Sequence, residues 1–109
     1  MGGALALMVW LAVPAGATTI NETLGPGSTG AEVSQWQTDL NFFIGYQDTC
    51  HPTLSVDGDY GTLTTNATKC FQSLEGDSVD GIAGPQTLST MCGYLRSRSP
   101  ALYADTGCG

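Results

Sequence analysis

Residues Val56 to Gln72, "VDGDYGTLTTNATKCFQ", share a spelling with residues Val79 to Leu95, "VDGIAGPQTLSTMCGYL". Each phrase starts Val-Asp-Gly, has a second glycine three residues after the first, and a threonine three residues further on. Asp57-Gly58 and Asp80-Gly81 are turn dipeptides: glycine adopts positive φ without a Cβ clash, and the aspartate side chain can bond its own following backbone. The second glycines, Gly61 and Gly84, introduce helices. Pro85 falls where the first helical residue is expected, a position that needs no N–H donor, and Thr62 stands there in the earlier copy as a candidate cap. Thr64, Ala67, Thr68 and Phe71 then recur at helical spacing, as do Leu88, Met91 and Leu95, so each helix is expected to bury one stripe. The phrase, repeated at a 23-residue interval from Val56 to Val79, encodes an extended approach, a tight turn and a helix.

A third helix is expected upstream. Thr29-Gly30-Ala31-Glu32 has the form of a capping box, and Val33, Trp36, Leu40 and Phe43 or Ile44 make one apolar stripe, with Gly45 as a natural stop. Between that helix and the first phrase, "YQDTCHPTLSV" reads as a loop that ends extended, with Leu54 and Val56 facing the same way. The fold class is therefore mainly α: a small three-helix bundle built around two turn-helix repeats, with short connections. Residues 28–96 form this domain, 18–27 a turn-rich arm, and 97–109 an irregular tail.

Residues 1–17 read differently. "ALALMVWLAV", from Ala4 to Val13, is unbroken apolar and ends near Ala15-Gly16-Ala17, the pattern of a secretory signal peptide, although no Lys or Arg follows Met1. As a helix the run would span only about 15 Å, roughly half of a ~30 Å hydrocarbon core, so no membrane attachment is expected after cleavage. About ninety residues remain, too few for a generous core. Cys50, Cys70, Cys92 and Cys108 meet that shortage as two disulfides. Three pairings are possible; Cys50–Cys70 with Cys92–Cys108 is favoured because each ties a helix to a neighbouring loop or tail, closing loops worth about 3 kcal/mol apiece. No two cysteines have metal-ligand spacing and His51 is the one histidine, so neither metal nor cofactor is expected. Three Lys+Arg against ten Asp+Glu give a net charge of −7. This balance excludes nucleic acid, whose phosphates demand cations, and electrostatic adhesion to anionic polymers.

The stretch "LGPGSTGAEVSQWQTDLNFF" followed by the two Val-Asp-Gly phrases resembles the peptidoglycan-binding domain of the three-helix type, found on bacterial and phage cell-wall hydrolases. Leu24, Gly27, Ser28, Gly30, Val33, Gln37, Leu40 and Asn41 carry the first part of the resemblance. Val56, Asp57, Gly58, Gly61, Thr64, Ala67, Phe71 and Gln72 carry the second, and Val79, Asp80, Gly81, Gly84, Pro85 and Thr87 the third. Trp36, Tyr60, Thr62 and Leu88 depart from it, standing where Leu, Phe, Pro and Trp are usual. The Cys-bearing loop before Val56 is an elaboration.

Enzymatic chemistry has little purchase here. His51 lacks a partner, and no G-x-S-x-G nucleophile elbow occurs. Asp57 and Asp80 occupy equivalent turns, where a bond to backbone explains both. "DGDYG" lacks the third ligand and the position-twelve glutamate of a calcium loop. The expectation is a secreted, non-catalytic module that captures bacterial cell-wall peptidoglycan, glycan or stem peptide, alongside a separately encoded wall enzyme. Asn41, Asp57, Asp59, Tyr60, Gln72 and Asp80, near the helix starts, are its candidate lining. An extracellular protein-interaction role on the same scaffold, and a small wall hydrolase, are the alternatives; retention on insoluble wall sacculi, with or without release of fragments, separates the three.

Overall fold

The apolar stripe of helix α1 (Ala31–Gln47) is the centre of the molecule: Val33, Trp36, Leu40, Phe43 and Ile44 are each at most 1% exposed. The structure, a computed structural model, describes residues 18–109, so the expected signal peptide at 1–17 lies outside the described residues. Helices α2 (Thr62–Glu75), α3 (Pro85–Arg98) and α4 (Pro100–Thr106) complete it. Phe71 of α2 meets Trp36 and Phe43 edge-on, with ring centroids 6.0 and 4.8 Å apart, and Tyr94 of α3 meets Phe43 at 5.0 Å. Edge-to-face geometry of this kind suits the opposed charges of ring edge and ring face. The Trp36 indole N–H donates to Thr68 Oγ1 at 3.0 Å, so the one polar atom of that buried ring is satisfied. Disulfides join Cys50 to Cys70 and Cys92 to Cys108.

The helix ends differ from expectation. Thr29 does not cap α1: it pairs with Asp59 as an isolated antiparallel bridge, and Gly30, at φ 116°, takes the cap position without a side-chain bond. Glu32, freed from the capping box, instead accepts from the Asn21 N–H at 2.9 Å and holds the arm. Nor does α1 stop at Gly45. It continues to Gln47 and ends at Asp48 in the left-handed conformation, because the added turn stacks Tyr46 on Phe42 four residues back, centroids 5.5 Å apart. Thr62 is the first residue of α2 and caps nothing; Gly61 stands at the cap.

Leu54 and Val56 do not share a face. The Asn41 side chain brackets Leu54, accepting from its N–H at 2.7 Å and donating to its carbonyl at 2.9 Å, which draws Leu54 into the core and leaves Val56 half exposed. Leu88 is likewise only partly buried, and Thr87 and Tyr94 join Met91 and Leu95 on the inner side of α3.

The tail is helical rather than irregular. Ser99 Oγ accepts from the Leu102 N–H and Pro100 occupies the first turn of α4, a start signal as plain as any in the chain. Helix α4 closes over α1. Asp39 is wholly buried there, its carboxylate accepting from Thr106 Oγ1 at 2.6 Å and from Gln35 Nε2 at 3.1 Å. Burial pushes the Asp39 carboxyl up to about 7, against the pull of those two bonds. The arm is folded onto the body: Leu24 exchanges backbone bonds with Ala83 at 3.1 and 2.8 Å, and Ile20 N–H reaches the Thr106 carbonyl. Among the described residues no helix is long and apolar enough to cross a membrane.

Candidate functional site

Both Val-Asp-Gly turns are gripped from the preceding helix by a buried glutamine. Gln37 Nε2, on α1, faces Asp57 Oδ1, the Asp59 carbonyl and Thr64 Oγ1 at 3.0, 3.0 and 3.1 Å, while its Oε1 accepts from the N–H groups of Asp57 and Gly58 at 3.0 Å each. Gln72 Nε2, on α2, faces Asp80 Oδ1, the Ile82 carbonyl and Thr87 Oγ1 at 2.8, 3.0 and 2.9 Å, and its Oε1 accepts from Asp80 and Gly81 at 3.0 and 2.9 Å. Within each turn the aspartate also accepts from the N–H two residues on. Gly58 and Gly81 sit at φ 75° and 76°, and a Cβ on Gly81 would meet Thr65 Cγ2 at 2.9 Å, so the turn aligns itself only without a side chain there. The backbone N–H of Asp59, followed by Gln37, holds the Asp57 carboxyl below the usual carboxylate range; Ile82 N–H and Gln72 do the same for Asp80. Both carboxylates stay ionised at neutral pH.

This bonding decides where the expected lining residues go. Gln72 and Tyr60 lie inside, 0% and 2% exposed. The Tyr60 hydroxyl donates to the Gly81 carbonyl at 2.7 Å and lies 2.9 Å from Thr68 Oγ1. Asn41 is committed to Leu54, and Asp80 to the second turn. Of the six, Asp57 and Asp59 line a recess.

That recess is part of a groove between the Cys50–Asp59 segment and the start of α2. Its upper part, about 260 Å³, is walled by Leu54, Ser55, Asp57, Asp59 and the Gly61–Thr64 backbone turn. The lower part, about 170 Å³, runs past His51, Pro52 and Asn66 to the Cys50–Cys70 bond. Leu54 and Leu63 belong to both, which makes the two recesses continuous. The second turn differs at the corresponding place. Gln86 stands there at the place of Leu63, and its Oε1 accepts from the N–H of Ser78, the counterpart of Ser55, at 3.2 Å. Thr90 adds a bond to Asp77 at 2.9 Å. The two turns are thus built alike, one lined by Leu63 and one crossed by the Gln86–Ser78 bond.

Leu54, Leu63 and Pro52 were not expected at the site. Leu63 carried a signal: it is a large apolar residue one position off the Thr64–Ala67–Thr68–Phe71 stripe, and it is 59% exposed. Chemically, the groove offers two carboxylates, two leucines and backbone amides at a helix start. Among the described residues no three His, Cys, Asp or Glu side chains converge as metal ligands.

A disulfide-tied helical body, two glutamine-gripped turns and one shallow amphipathic groove define a small binding module. Residues 29–91 match the family described as "Putative peptidoglycan binding domain", and the chain belongs to that family. It is 38% identical over 77 residues to a probable N-acetylmuramoyl-L-alanine amidase of Bacillus licheniformis, a match covering 71% of this chain and 22% of that protein. It is 40% identical over 74 residues to the zinc D-Ala-D-Ala carboxypeptidase of Streptomyces albus G, covering 68% and 28%. Among solved structures, the SleB N-terminal domain superposes with a TM-score of 0.58 at 28% identity, covering 71% of this chain and 97% of that one. The chain therefore spans between a fifth and a third of the length of these two curated relatives, and nearly all of the separate SleB domain.

Proposed function

We propose that this protein is an exported, non-catalytic module that holds bacterial cell-wall peptidoglycan in the groove beside Asp57 and Asp59. The observation that carries the reading is the contrast between the two turns: the same scaffold forms a recess beside Leu63 and is crossed by a hydrogen bond at Gln86. Membership of the family supports the ligand class, since relatives named for wall amidase and wall carboxypeptidase activity share this segment. In this reading Leu54 and Leu63 receive apolar parts of the polymer, Asp57 and Asp59 receive donors, and Asn41, Tyr60, Gln72 and Asp80 keep the turns in shape. Residues 1–17 act as the export signal, and the module works at the wall together with a wall hydrolase.

The test is sedimentation with purified, insoluble wall sacculi. Wild-type protein co-sediments without releasing soluble fragments. Leu63→Gln copies the second turn by offering Ser55 the bond that Gln86 gives Ser78; it is expected to weaken retention about tenfold while thermal stability stays within about 0.5 kcal/mol, as usual for an exposed position. Undiminished retention of that variant removes the groove from the proposal. Release of fragments would make the protein a hydrolase instead.

A further inference from the structure

Three consecutive residues of the arm are anchored to the body and to the tail. The Thr18 N–H donates to Gln35 Oε1 at 3.3 Å, Thr19 packs against Gly107, and the Ile20 N–H donates to the Thr106 carbonyl at 3.0 Å. The anchored stretch therefore begins at the residue that follows Ala15-Gly16-Ala17, where the expected signal segment ends. Gln35 carries the contact inward. It is 4% exposed, and while its Oε1 faces Thr18 its Nε2 donates to Asp39 Oδ1 at 3.1 Å and lies 3.5 Å from Thr106 Oγ1. One carboxamide thus separates the Thr18 nitrogen from a wholly buried carboxyl. Among the described residues no Lys, Arg or His pairs with that carboxyl. The charged groups around it are Asp105 on α4, whose like charge acts on it, and Glu32 on α1, which is turned to the Asn21 N–H. Arg96 and Arg98 of α3 stand over the rings of Tyr103 and Tyr94 instead. A buried carboxylate without a cation is costly, and this one answers by keeping its proton up to about pH 7.

We propose that the Gln35–Asp39 pair is the seat of the amino terminus created when residues 1–17 are removed, so that processing supplies the missing positive charge. The inference rests on the export-signal reading above and is independent of the ligand. Hydrolysis adds water across the Ala17–Thr18 bond: Ala17 leaves as a carboxylate, and the Thr18 nitrogen becomes an ammonium. Before the cut that nitrogen is a neutral amide whose one N–H Gln35 accepts. After it the same atom carries a charge and two further donors. Thr18 is only partly buried, so water can serve those donors while the charge acts on Asp39 across one amide. The ammonium opposes the charge of Asp105 and lets Asp39 ionise at lower cost. The seam between arm, α1 and α4 is then loosest while residues 1–17 are attached and tightest once they are gone.

The experiment takes the protein recovered from outside its producing cells, reads its amino end by mass spectrometry, and compares it with the same protein acetylated at that amine. Acetylation restores a neutral amide, as in the uncut chain, and keeps an N–H for Gln35; peptide mapping confirms that Lys69 is unmodified. A product beginning at Thr18 is expected. Carbon-13 NMR of the side-chain carboxyls should show Asp39 titrating about one pH unit lower with the amine free. The folding equilibrium, from urea unfolding, should coincide for the two forms at pH 4 and favour the free amine about fivefold at pH 7. Stability still declines toward neutral pH, less steeply with the amine free. In Asp39→Asn the acetyl group should make no difference. Coincident curves for the two wild-type forms overturn the seat and leave the export reading standing. So does a difference that survives in Asp39→Asn, since the amine then acts elsewhere. A product that keeps residues 1–17 sinks the seat and the export reading together; one cut at another residue sinks the seat alone.

Discussion

Gln72→Ala is expected to destabilise the fold by about 4 kcal/mol, a loss outside the range of most single substitutions. The wild-type side chain is fully buried and its amide occupies three acceptors and two backbone donors of the second turn. Removing it strands the Gly81 N–H and the Thr87 hydroxyl in a buried setting, at about 1–3 kcal/mol for each unsatisfied group. Asp80 loses less, because water can reach its carboxylate. Gln72→Leu separates hydrogen bonding from packing: it fills most of the space yet satisfies none of the five partners, so it should cost nearly as much as alanine. Urea unfolding of the three proteins measures this. If leucine restores wild-type stability, the amide is a filler and the turn is held by something else.

The second large effect concerns Asp39. Its folded pKa is about 7 against 3.8 for the ordinary carboxyl, with burial as the main cause and the nearby Asp105 charge a minor one that acts the same way. Its hydrogen bonds from Thr106 and Gln35 only partly offset the burial. A group raised in this direction keeps its proton longer in the folded chain than in the unfolded one. Its stabilising contribution is therefore complete below about pH 3.8, declines as pH rises, and is gone once pH passes about 7. The span corresponds to about 4 kcal/mol, at 1.36 kcal/mol for each pKa unit. Asp57 and Asp80 act oppositely and elsewhere: lowered from 3.8, they contribute above that value and lose their effect only as pH falls beneath it. The window from pH 4 to 7 thus belongs to Asp39. Denaturant midpoints across that window should fall for the wild type and stay level for Asp39→Asn, which can still accept from Thr106 and has no charge to bury. A sloping curve in the variant would show that another group titrates there.

The three long helices were legible because each carries a run of apolar residues at helical spacing, and burial follows that spacing closely from Val33 to Phe43 and from Thr64 to Phe71. What governed the site was not legible in the same way. Gln72 and Tyr60 are polar, and a polar residue near a turn reads as surface; only the folded chain shows that their polar atoms face inward to backbone of a neighbouring turn. Asn41 misled for the same reason, its amide spent on Leu54 thirteen positions away. Helix α4 was missed although Ser99-Pro100 spells a helix start, because the few residues after it show no apolar period. The groove arises from a loop folding back along the helix that directly follows it, a placement no helical or strand period encodes, and Leu63 betrayed it only by being out of step with its own stripe.

The two glutamine brackets close over very different lengths of chain: 20 positions separate Gln37 from Asp57, and 8 separate Gln72 from Asp80. Closing a longer flexible loop costs only modestly more, so the fold fixes where such a stretch must leave and return while leaving its length unspecified. Here the surplus became an extra turn of α1 and the cystine-anchored wall of the groove. Lineages that share the bracket can therefore lengthen, shorten or exchange that stretch and change what is recognised, with the interior untouched.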